Sequence, residues 1–337
     1  MKSKKILIVS DAWEPQVSGV VTTLNNTIKE LEKMGHEVRV FSPQDCRFRF
    51  PLPFYSEIKL GIPFSRKIHE AIAWNPDHIH ISTPEGPIGS RFRRRLNHKG
   101  IRYSTAYHTK YPEFVKSKIP FFPLWLGHVF MRYANKRSTA IMVPTESMIE
   151  ELTNLGYKNV RLWSRGYDEE VFSPNFTPNY YPIFVCVSRV SVEKNLEDFF
   201  ELNLPGEKIM VGDGPDRKRY EKKYPEVTFV GYKKGRELAN HYRYADVFVF
   251  PSRKDTFGVV MIESLACGTP IAAYDVTGPK DLVENGVNGY IGDDLRANVM
   301  KCLDLNRKSV YNTSHKYTWE SATHQFLENL VDISGTL

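Results

Sequence analysis

The sequence has few cysteines, and it has no hydrophobic run long enough to cross a membrane. The four cysteines lie far apart and form no C-x-x-C pair; they are Cys46, Cys186, Cys267 and Cys302. This spacing argues against a zinc site and against a disulfide framework, and it fits a reducing cytosol. The longest aromatic and apolar stretch, residues 119–131, contains two prolines and falls short of the ~20 residues that a membrane span needs.

The apolar run near the amino terminus is also short. Residues 6–9 are too few for the apolar core of a signal peptide, and the run ends at Asp11, so we interpret it as a β-strand. Internal repeats of solenoid period and low-complexity tracts are absent. With 337 residues and 41% apolar content, the chain is long enough for two globular domains, each with its own core.

Positive charge is concentrated in the first half of the chain. Residues 1–165 contain 26 Lys and Arg against 14 Asp and Glu, whereas the remainder contains 20 against 25. The net charge of +7 therefore combines a first half of +12 with a second half of −5. This segregation predicts that the first half meets an anionic surface, either lipid headgroups or nucleic acid. Ordinary solubilising charge is the alternative, because charge bias does not require a partner.

Short β-rich runs alternate with helical patterns, which is typical of βαβ units and parallel sheets. A strand at 4–10 is followed by apolar residues at helical spacing, by Gly35 at the helix end, and by a strand at 38–41. Further strands are expected at 78–81, 102–107, 141–143 and 160–163, and the series restarts at 183–187, 208–211, 228–230, 247–250 and 271–274. The pattern predicts an α/β protein with two doubly wound, Rossmann-like domains in tandem.

The segment 165–181 has the composition of a linker, with prolines at 174, 178 and 182. We therefore place one domain at 1–165 and a second at 166–316, followed by a C-terminal helical segment at 317–337. Open α/β sheets bind ligands at the carboxyl ends of their strands. We expect the ligand in a cleft between the two sheets.

Two acidic residues stand out in the stretch 251–271. Glu263 interrupts an apolar helical run, and an unpaired buried carboxylate costs several kcal/mol, so this residue calls for a partner from protein or ligand. Asp255 lies in the loop that enters the same helix, about two turns earlier. The alternative is a loop Asp that caps the helix and a Glu on its solvated face.

Loops after predicted strands supply further candidates for an anion site. Gly19 precedes a helix, where backbone N–H groups suit a phosphate, although glycine there is often only a turn. Gly212 also joins a strand to a helix, and a structural interpretation of it is about as good. Arg189 and Lys194 follow a strongly apolar strand and could clamp a diphosphate; taken alone, the motif would favour two solvated surface cations.

His108 ends another predicted strand, where residues of a ligand site emerge. A lone histidine is more often structural, and its ring could simply form a hydrogen bond with a loop carbonyl. Its position at the strand end is what makes it a candidate.

Taken together, five motifs give the chain a strong resemblance to a known family. They are SDAWEPQVSGV at 10–20, HTKYP at 108–112, SRVSVEKN at 188–195, VGDGP at 211–215, and DTFG at 255–258 with Glu263. Over nearly its whole length the chain resembles the family four glycosyltransferases. This is a retaining group with the GT-B fold that transfers hexoses from nucleotide-sugar donors.

The resemblance implies roles for individual residues. Arg189 and Lys194 would hold the donor pyrophosphate and stabilise the departing charge, and Glu263 would bind the ribose hydroxyls. Asp255 would contact sugar hydroxyls, and His108 would face the sugar near the reacting carbon. The remaining donor contacts would be Gly19 and Gly212 near the phosphates, Thr256, Phe257 and Gly258 around sugar and phosphate, and Val230, Gly231 and Tyr232 near the base.

The sequence departs from the family at two points and contains no metal motif. Asp255 stands where the family usually has Glu, and Ser18 precedes Gly19 where the family often has a second glycine. The shorter Asp leaves sugar identity open. The chain offers no Asp-x-Asp, and the family's fold typically dispenses with a catalytic metal, so we predict retaining transfer by front-face attack without metal or other cofactor.

The acceptor is predicted from the basic first half. Cations alternate with aromatic and apolar residues at 47–50, 91–95 and 116–125, and such a face can lie on an anionic membrane. Members that glycosylate diacylglycerol-type or phosphoinositide-type lipids are closest in appearance. We therefore expect a cytoplasmic enzyme, peripheral at the inner face of the membrane, that glycosylates a lipid. The alternatives are transfer to modified nucleic acid or polysaccharide, and a nucleotide-sugar-binding module without turnover.

Overall fold

A computed structural model describes residues 3–16, 18–52, 55–119, 121–177, 179–255 and 257–333. The chain forms two compact units. The first comprises Met1–Ser164 together with Trp319–Leu337, and the second comprises Arg165–Thr318. None of the helices in the described ranges combines the length and the apolar character of a transmembrane span.

The first unit contains a parallel sheet of six strands. The chain enters through strands β1 and β2, forms an antiparallel hairpin of β3 and β4, and then continues through β5 to β8. The strands are β1 Lys5–Val9, β2 Glu37–Phe41, β3 Phe48–Leu52, β4 Tyr55–Ile62, β5 His78–Ile81, β6 Ser104–Ala106, β7 Ile141–Val143 and β8 Val160–Leu162. The order in the sheet is β2-β1-β5-β6-β7-β8.

Seven helices accompany this sheet. They are α1 Gly19–Lys33, α2 Ser65–Ala73, α3 Pro87–Lys99, α4 Tyr111–Lys118, α5 Leu124–Asn135, α6 Glu146–Asn154 and α14 Trp319–Glu328. The last of these comes from the C-terminal end of the chain and packs against α1. Phe326 of α14 lies against the buried Trp163, with ring centroids 4.8 Å apart.

Local sequence explains how α1 and β1 form. The Ser18 hydroxyl accepts a hydrogen bond from Val21 N and caps α1, whose buried residues Val21, Leu24 and Leu31 share one face. Gly35 then ends the helix region with a φ of 84°, a backbone conformation that glycine adopts at little cost. All apolar residues of β1 are buried because helices cover both faces of a parallel sheet.

The second unit repeats the plan with the strand order β11-β10-β9-β12-β13-β14. Its strands are β9 Ile183–Val187, β10 Glu207–Val211, β11 Val227–Gly231, β12 Val247–Phe250, β13 Ile271–Ala273 and β14 Gly289–Ile291. Its helices are α7 Glu197–Phe200, α8 Arg217–Lys223, α9 Gly235–Arg243, α10 Val259–Ala266, α11 Pro279–Leu282, α12 Leu295–Cys302 and α13 Arg307–Asn312. Buried apolar clusters cover both faces of this sheet. The prediction of two doubly wound α/β domains is confirmed.

Candidate functional site

The strand order of the second unit singles out one position at its carboxyl edge. From β9 the chain first adds strands on one side, through β10 and β11, and then crosses to the other side at β12. Neighbouring strands β9 and β12 therefore mark the switch point, where open α/β sheets bind their ligands. The loop after β9 carries Arg189 and Lys194, and the loop after β12 carries Asp255.

An ion pair joins these two loops. Lys194 Nζ lies 2.6 Å from Asp255 Oδ1, and about a quarter of each side chain is exposed. The structure thus brings together two predicted site residues that are 61 positions apart in the chain.

Electrostatics keep Asp255 ionised. Burial by itself would raise the pKa of this carboxyl, but the charge of Lys194 and its hydrogen bond outweigh burial, with a smaller contribution from Ser252. The pKa of Asp255 therefore lies below its ordinary value. An ionised, partly buried carboxylate can accept hydrogen bonds from sugar hydroxyls.

Arg189 lies in the same loop, and backbone hydrogen bonds fix that loop against the loop after β10. Ser188 N donates to Val211 O, and Val190 N donates to Asp213 O. Gly212 allows this contact, because a Cβ at this position would overlap the carbonyl oxygen of Ser188, and its φ is 140°. The glycine of the predicted VGDGP motif is thus required by loop packing.

Glu263 lies in the second turn of α10, partly buried, on the same side as the partly buried Val259 and Val260. The hydroxyl of Tyr242 donates a hydrogen bond to Glu263 Oε2 over 3.1 Å. Burial raises the pKa of Glu263 to about 7, although this hydrogen bond opposes the rise. The acidic residue that interrupts the apolar run, Glu263, therefore has a hydrogen-bond partner within the protein.

The start of α10 is shaped by glycine. Gly258 has a φ of 82°, and a Cβ there would come within 2.9 Å of Met261 and 3.1 Å of Phe250. Gly278, with a φ of 95°, packs against the carbonyl oxygens of Asp255 and Phe257. Among the described residues no side chain caps α10, and a helix start of this kind suits an anion. Thr256, the remaining residue of the predicted motif, lies outside the described residues.

The predicted base contacts lie elsewhere on the sheet. Val230 and Gly231 end β11, the edge strand two positions from β9, and Tyr232 follows with 53% of its surface exposed. They share the carboxyl edge with the switch point.

In the first unit, His108 follows β6 and Ser82 follows the neighbouring β5. His108 Nε2 lies 2.8 Å from the Ser82 hydroxyl, and its ring packs edge-on to Trp163 with centroids 5.5 Å apart. The structure therefore fixes the ring at the carboxyl edge. No sequence pattern pointed to Ser82.

Gly19 differs from Gly212 in its surroundings. A Cβ added to Gly19 would meet no atom of the described residues within 4 Å, and the φ of Gly19 lies outside the left-handed region. Neither packing nor backbone strain requires a glycine at position 19. A glycine there is consistent with the close approach of a ligand to the backbone.

Two buried acids of the first unit were not selected from the sequence. Asp11 accepts hydrogen bonds from Ile88 N and Gly89 N at the start of α3, and burial raises its pKa to about 6. Glu85 follows β5, and burial raises its pKa to about 7, with a further contribution from Asp11. An acid immediately after the strand predicted at 4–10 was the available signal for Asp11.

Comparisons with known proteins agree with this architecture. Residues 17–171 match the sequence family Glycosyltransferase Family 4, and residues 168–301 match Glycosyl transferases group 1. The solved structure of sucrose-phosphate synthase from Thermosynechococcus elongatus superimposes with a TM-score of 0.77 at 18% identity, covering 96% of this chain and 98% of that one. The two doubly wound units thus define a protein of the GT-B fold.

Curated relatives identify the family. A GDP-mannose-dependent alpha-mannosyltransferase of Mycobacterium tuberculosis is 29% identical over 83% of this chain and 81% of its own. An alpha-monoglucosyldiacylglycerol synthase of Streptococcus pneumoniae is 25% identical over 96% of this chain and 85% of its own. The chain belongs to the family 4, group 1 glycosyltransferases. It is a retaining hexosyltransferase that uses a nucleotide-sugar donor.

Proposed function

We propose that this enzyme transfers a hexose from a UDP- or GDP-sugar to a hydroxyl group of a membrane lipid, such as a diacylglycerol or a phosphoinositide. The observation that carries the lipid proposal is an exposed apolar face on α5. The name of one relative, an alpha-monoglucosyldiacylglycerol synthase, supports a lipid acceptor, and the name of another, a GDP-mannose-dependent alpha-mannosyltransferase, supports a GDP-linked donor. The enzyme would act from the cytoplasm, at the inner face of the membrane.

The exposed face of α5 is defined by five apolar side chains that recur at helical spacing. They are Trp125, Leu126, Val129, Phe130 and Tyr133, each between 41% and 68% exposed. Phe121, just before the helix, is 97% exposed. Burying one such aromatic side chain in an apolar phase contributes on the order of 2 kcal/mol. Contiguous apolar surface of this kind marks an interaction site.

The opposite face of α5 fixes the helix to the protein. Met131 and Ala134 are buried there, and Gly127 packs so closely on Pro112 that a Cβ would lie 2.7 Å from the proline Cβ. His128 Nε2 lies 3.5 Å from Glu113 Oε1 of α4. The helix is therefore held with its apolar face outward, as a monotopic membrane contact requires.

Cations lie along the same helix and on the hairpin. Arg132, Lys136 and Arg137 are exposed at the C-terminal end of α5. Phe48 is 59% exposed between the exposed Arg47 and Arg49. Basic side chains beside an apolar face favour a membrane with anionic headgroups.

For the donor, we propose that Arg189 and Lys194 bind the pyrophosphate and stabilise the charge that develops as it leaves. Glu263 would bind the ribose, and Asp255 the sugar hydroxyls. The first N–H groups of α10, with Phe257 and Gly258, suit a phosphate. From the family resemblance we assign Gly19 and Gly212 to the phosphates, Val230 to Tyr232 to the base, and His108 to the reacting carbon.

The leaving phosphate would itself help to deprotonate the acceptor hydroxyl on the face where it departs, which gives retention. Within this proposal the enzyme needs no metal ion. A loss of transfer in EDTA that Mg²⁺ restores would contradict this part of the proposal.

The donor assignment is tested by thermal-shift measurements with UDP-, GDP- and ADP-sugars. A ligand that prefers the folded protein raises Tm because its binding adds to the free energy of unfolding. The addition is about 2.7 kcal/mol when the ligand is at a hundredfold excess over Kd. We expect one nucleotide class to shift Tm in the wild type and to shift it much less in Glu263→Ala.

Asp255→Ala should keep most of the nucleotide affinity but lose transfer or sugar selectivity. Unchanged kinetics in both variants would contradict these roles.

The lipid assignment is tested by sedimentation with vesicles that contain anionic phospholipid. We expect Trp125→Ala to weaken vesicle binding about tenfold, because it removes an exposed aromatic side chain from the apolar face. Tyr180→Ala is the matched control, since Tyr180 is fully exposed but lies in the second unit. Binding of the wild type to DNA in preference to vesicles would favour a nucleic-acid acceptor instead.

A further inference from the structure

Tyr242 is a fully buried tyrosine near the end of α9, and its side chain is held on several sides. Its ring packs against Phe248 with centroids 5.5 Å apart and against Phe172 at 6.1 Å, both in edge-on contact. A buried tyrosine hydroxyl needs a hydrogen-bond partner, and here that partner is Glu263. The ring packing fixes the direction in which the hydroxyl donates.

The backbone at this end of α9 is fixed as well. Thr269 Oγ1 donates to Tyr242 O over 2.6 Å, and Arg307 Nη2 donates to Thr269 Oγ1 over 3.1 Å and to Arg243 O over 2.9 Å. These bonds satisfy carbonyl groups that the helix end leaves without partners. Tyr242 is therefore a rigid donor and not an adaptable one.

The two oxygens of Glu263 have different surroundings. Oε2 accepts the hydrogen bond from Tyr242, whereas Oε1 has no hydrogen-bond partner among the residues that the structure describes. One oxygen is thus fixed by the protein, and the other is free to accept from a ligand.

We propose that Tyr242 is a positioning residue for donor binding: it holds Oε2 of Glu263 so that Oε1 accepts hydrogen bonds from the ribose hydroxyls. The proposal rests on the function proposed above, in which Glu263 binds the ribose. Tyr242 itself contacts no substrate and acts only through Glu263.

The hydrogen bond also sets the protonation of Glu263. An ionised carboxylate can accept from two ribose hydroxyls, whereas a protonated one loses acceptor capacity. Burial raises the pKa of Glu263 to about 7, and the Tyr242 hydroxyl lowers it. Among the described residues, Cys267 is a further titratable group that interacts with Glu263, and it in turn interacts with Arg243 and Arg307. Removing the Tyr242 hydroxyl should therefore leave Glu263 more protonated at neutral pH.

Tyr242→Phe tests the proposal because it removes the hydroxyl and keeps the ring. UDP and GDP binding is measured by calorimetry between pH 5.5 and 9 for the wild type, Tyr242→Phe and Glu263→Gln. The Glu263→Gln profile contains every titration of nucleotide and protein except that of Glu263, and it serves as the baseline. We expect Tyr242→Phe to bind about fivefold more weakly than the wild type at pH 7 and to recover most of this loss at pH 9. Its midpoint should move upward by about one pH unit.

Tyr167→Phe is the matched control. Tyr167 is also buried in the second unit, and its hydroxyl pairs with Ser314, 3.2 Å away. This variant should keep the wild-type midpoint. Replacement of Tyr242 by 3-fluorotyrosine, a stronger donor of nearly the same size, should move the midpoint downward, and it provides a second measurement if Tyr242→Phe folds poorly.

The outcomes distinguish a failure of the ribose role of Glu263 from a failure of the positioning role of Tyr242. If the wild type binds neither nucleotide, or if Glu263→Gln binds as tightly as the wild type at pH 9, the ribose role of Glu263 is wrong. Suppose instead that the wild type and Glu263→Gln behave as expected. If Tyr242→Phe then keeps the wild-type midpoint of the pH profile, even with uniformly weaker binding, the positioning role of Tyr242 is wrong.

Discussion

In the part of the chain that the structure describes, three acids, one buried and two partly buried, have pKa values well above those of exposed acids. Burial raises the pKa of Asp11 to about 6 and the pKa values of Glu85 and Glu263 to about 7. A group whose pKa rises on folding stabilises the protein fully only at low pH, and the stability declines as pH increases through the raised pKa. At neutral pH these residues therefore reduce stability, and Glu263 is retained for a purpose other than stability.

We predict that Glu263→Gln stabilises the protein at pH 8 and has little effect at pH 4. Below about pH 4.5 the carboxyl is protonated in both states, so nothing is gained by replacing it. Above pH 7 the folded protein carries a desolvated charge, whose removal should add about 1–3 kcal/mol. The amide oxygen of Gln can still accept from Tyr242. Urea denaturation at both pH values measures the difference.

Glu169→Gln is the control for this prediction, because Glu169 is exposed in the same unit. Its stability should follow the wild type at both pH values. If Glu263→Gln is destabilised at pH 8, the raised pKa of Glu263 is the wrong explanation, and the carboxylate contributes to the fold.

At the scale of single residues, local sequence pointed to Glu263 but not to its partner. The acid interrupts an apolar run, which a pattern can reveal. Tyr242 lies 21 positions earlier in no recognisable motif, and Lys194 meets Asp255 across 61 positions. Such pairs depend on which strands become neighbours, and this was not contained in the motifs themselves.

At the scale of elements, α3 shows how a helix can be capped from far away in the chain. Asp11 accepts from Ile88 N and Gly89 N, 77 and 78 positions later. Gly86 leaves room for this carboxylate, because a Cβ there would overlap it. These hydrogen bonds satisfy two N–H groups at the start of a strongly basic helix, and they offset part of the cost of burying the carboxylate. No local signal in α3 could predict it.

Gly19 and Gly212, the two glycines of the predicted phosphate loops, should respond differently to replacement by alanine. Gly212→Ala places a Cβ against the Ser188 carbonyl at a φ of 140°, so we expect destabilisation by about 2–4 kcal/mol. Gly19→Ala adds a Cβ in open space at the start of α1, so stability should be unchanged or slightly higher.

Nucleotide affinity then separates the two roles. Gly19→Ala should bind UDP or GDP more weakly although it is fully folded, as expected if the ligand approaches this backbone. Chemical denaturation and calorimetry on both variants provide the comparison. Normal affinity in a folded Gly19→Ala protein would remove Gly19 from the donor site.

At the scale of the whole molecule, the alternation of strands and helices predicted every strand of both six-stranded sheets except the edge strand Gly289–Ile291. Strands such as His78–Ile81 and Ile183–Val187 coincide with their expected positions because buried parallel strands form distinct apolar runs. The hairpin of Phe48–Leu52 and Tyr55–Ile62 was not predicted. Its first strand alternates arginine with phenylalanine and contains Pro51, a pattern that indicated an exposed surface more than a strand.

The uneven charge of the chain leads to a prediction about ionic strength. Residues 1–165 carry a net +12, and the Debye length falls from about 10 Å at 0.1 M salt to about 4–5 Å at 0.5 M. We expect binding to vesicles with anionic phospholipid to weaken at least tenfold over this range, with the remaining binding due to the apolar face of α5. Trp125→Ala should therefore lose most of the vesicle binding that the wild type retains at 0.5 M salt, whereas Tyr180→Ala should keep it. Vesicle binding that is insensitive to salt in the wild type would show that the charge is ordinary solubilising charge.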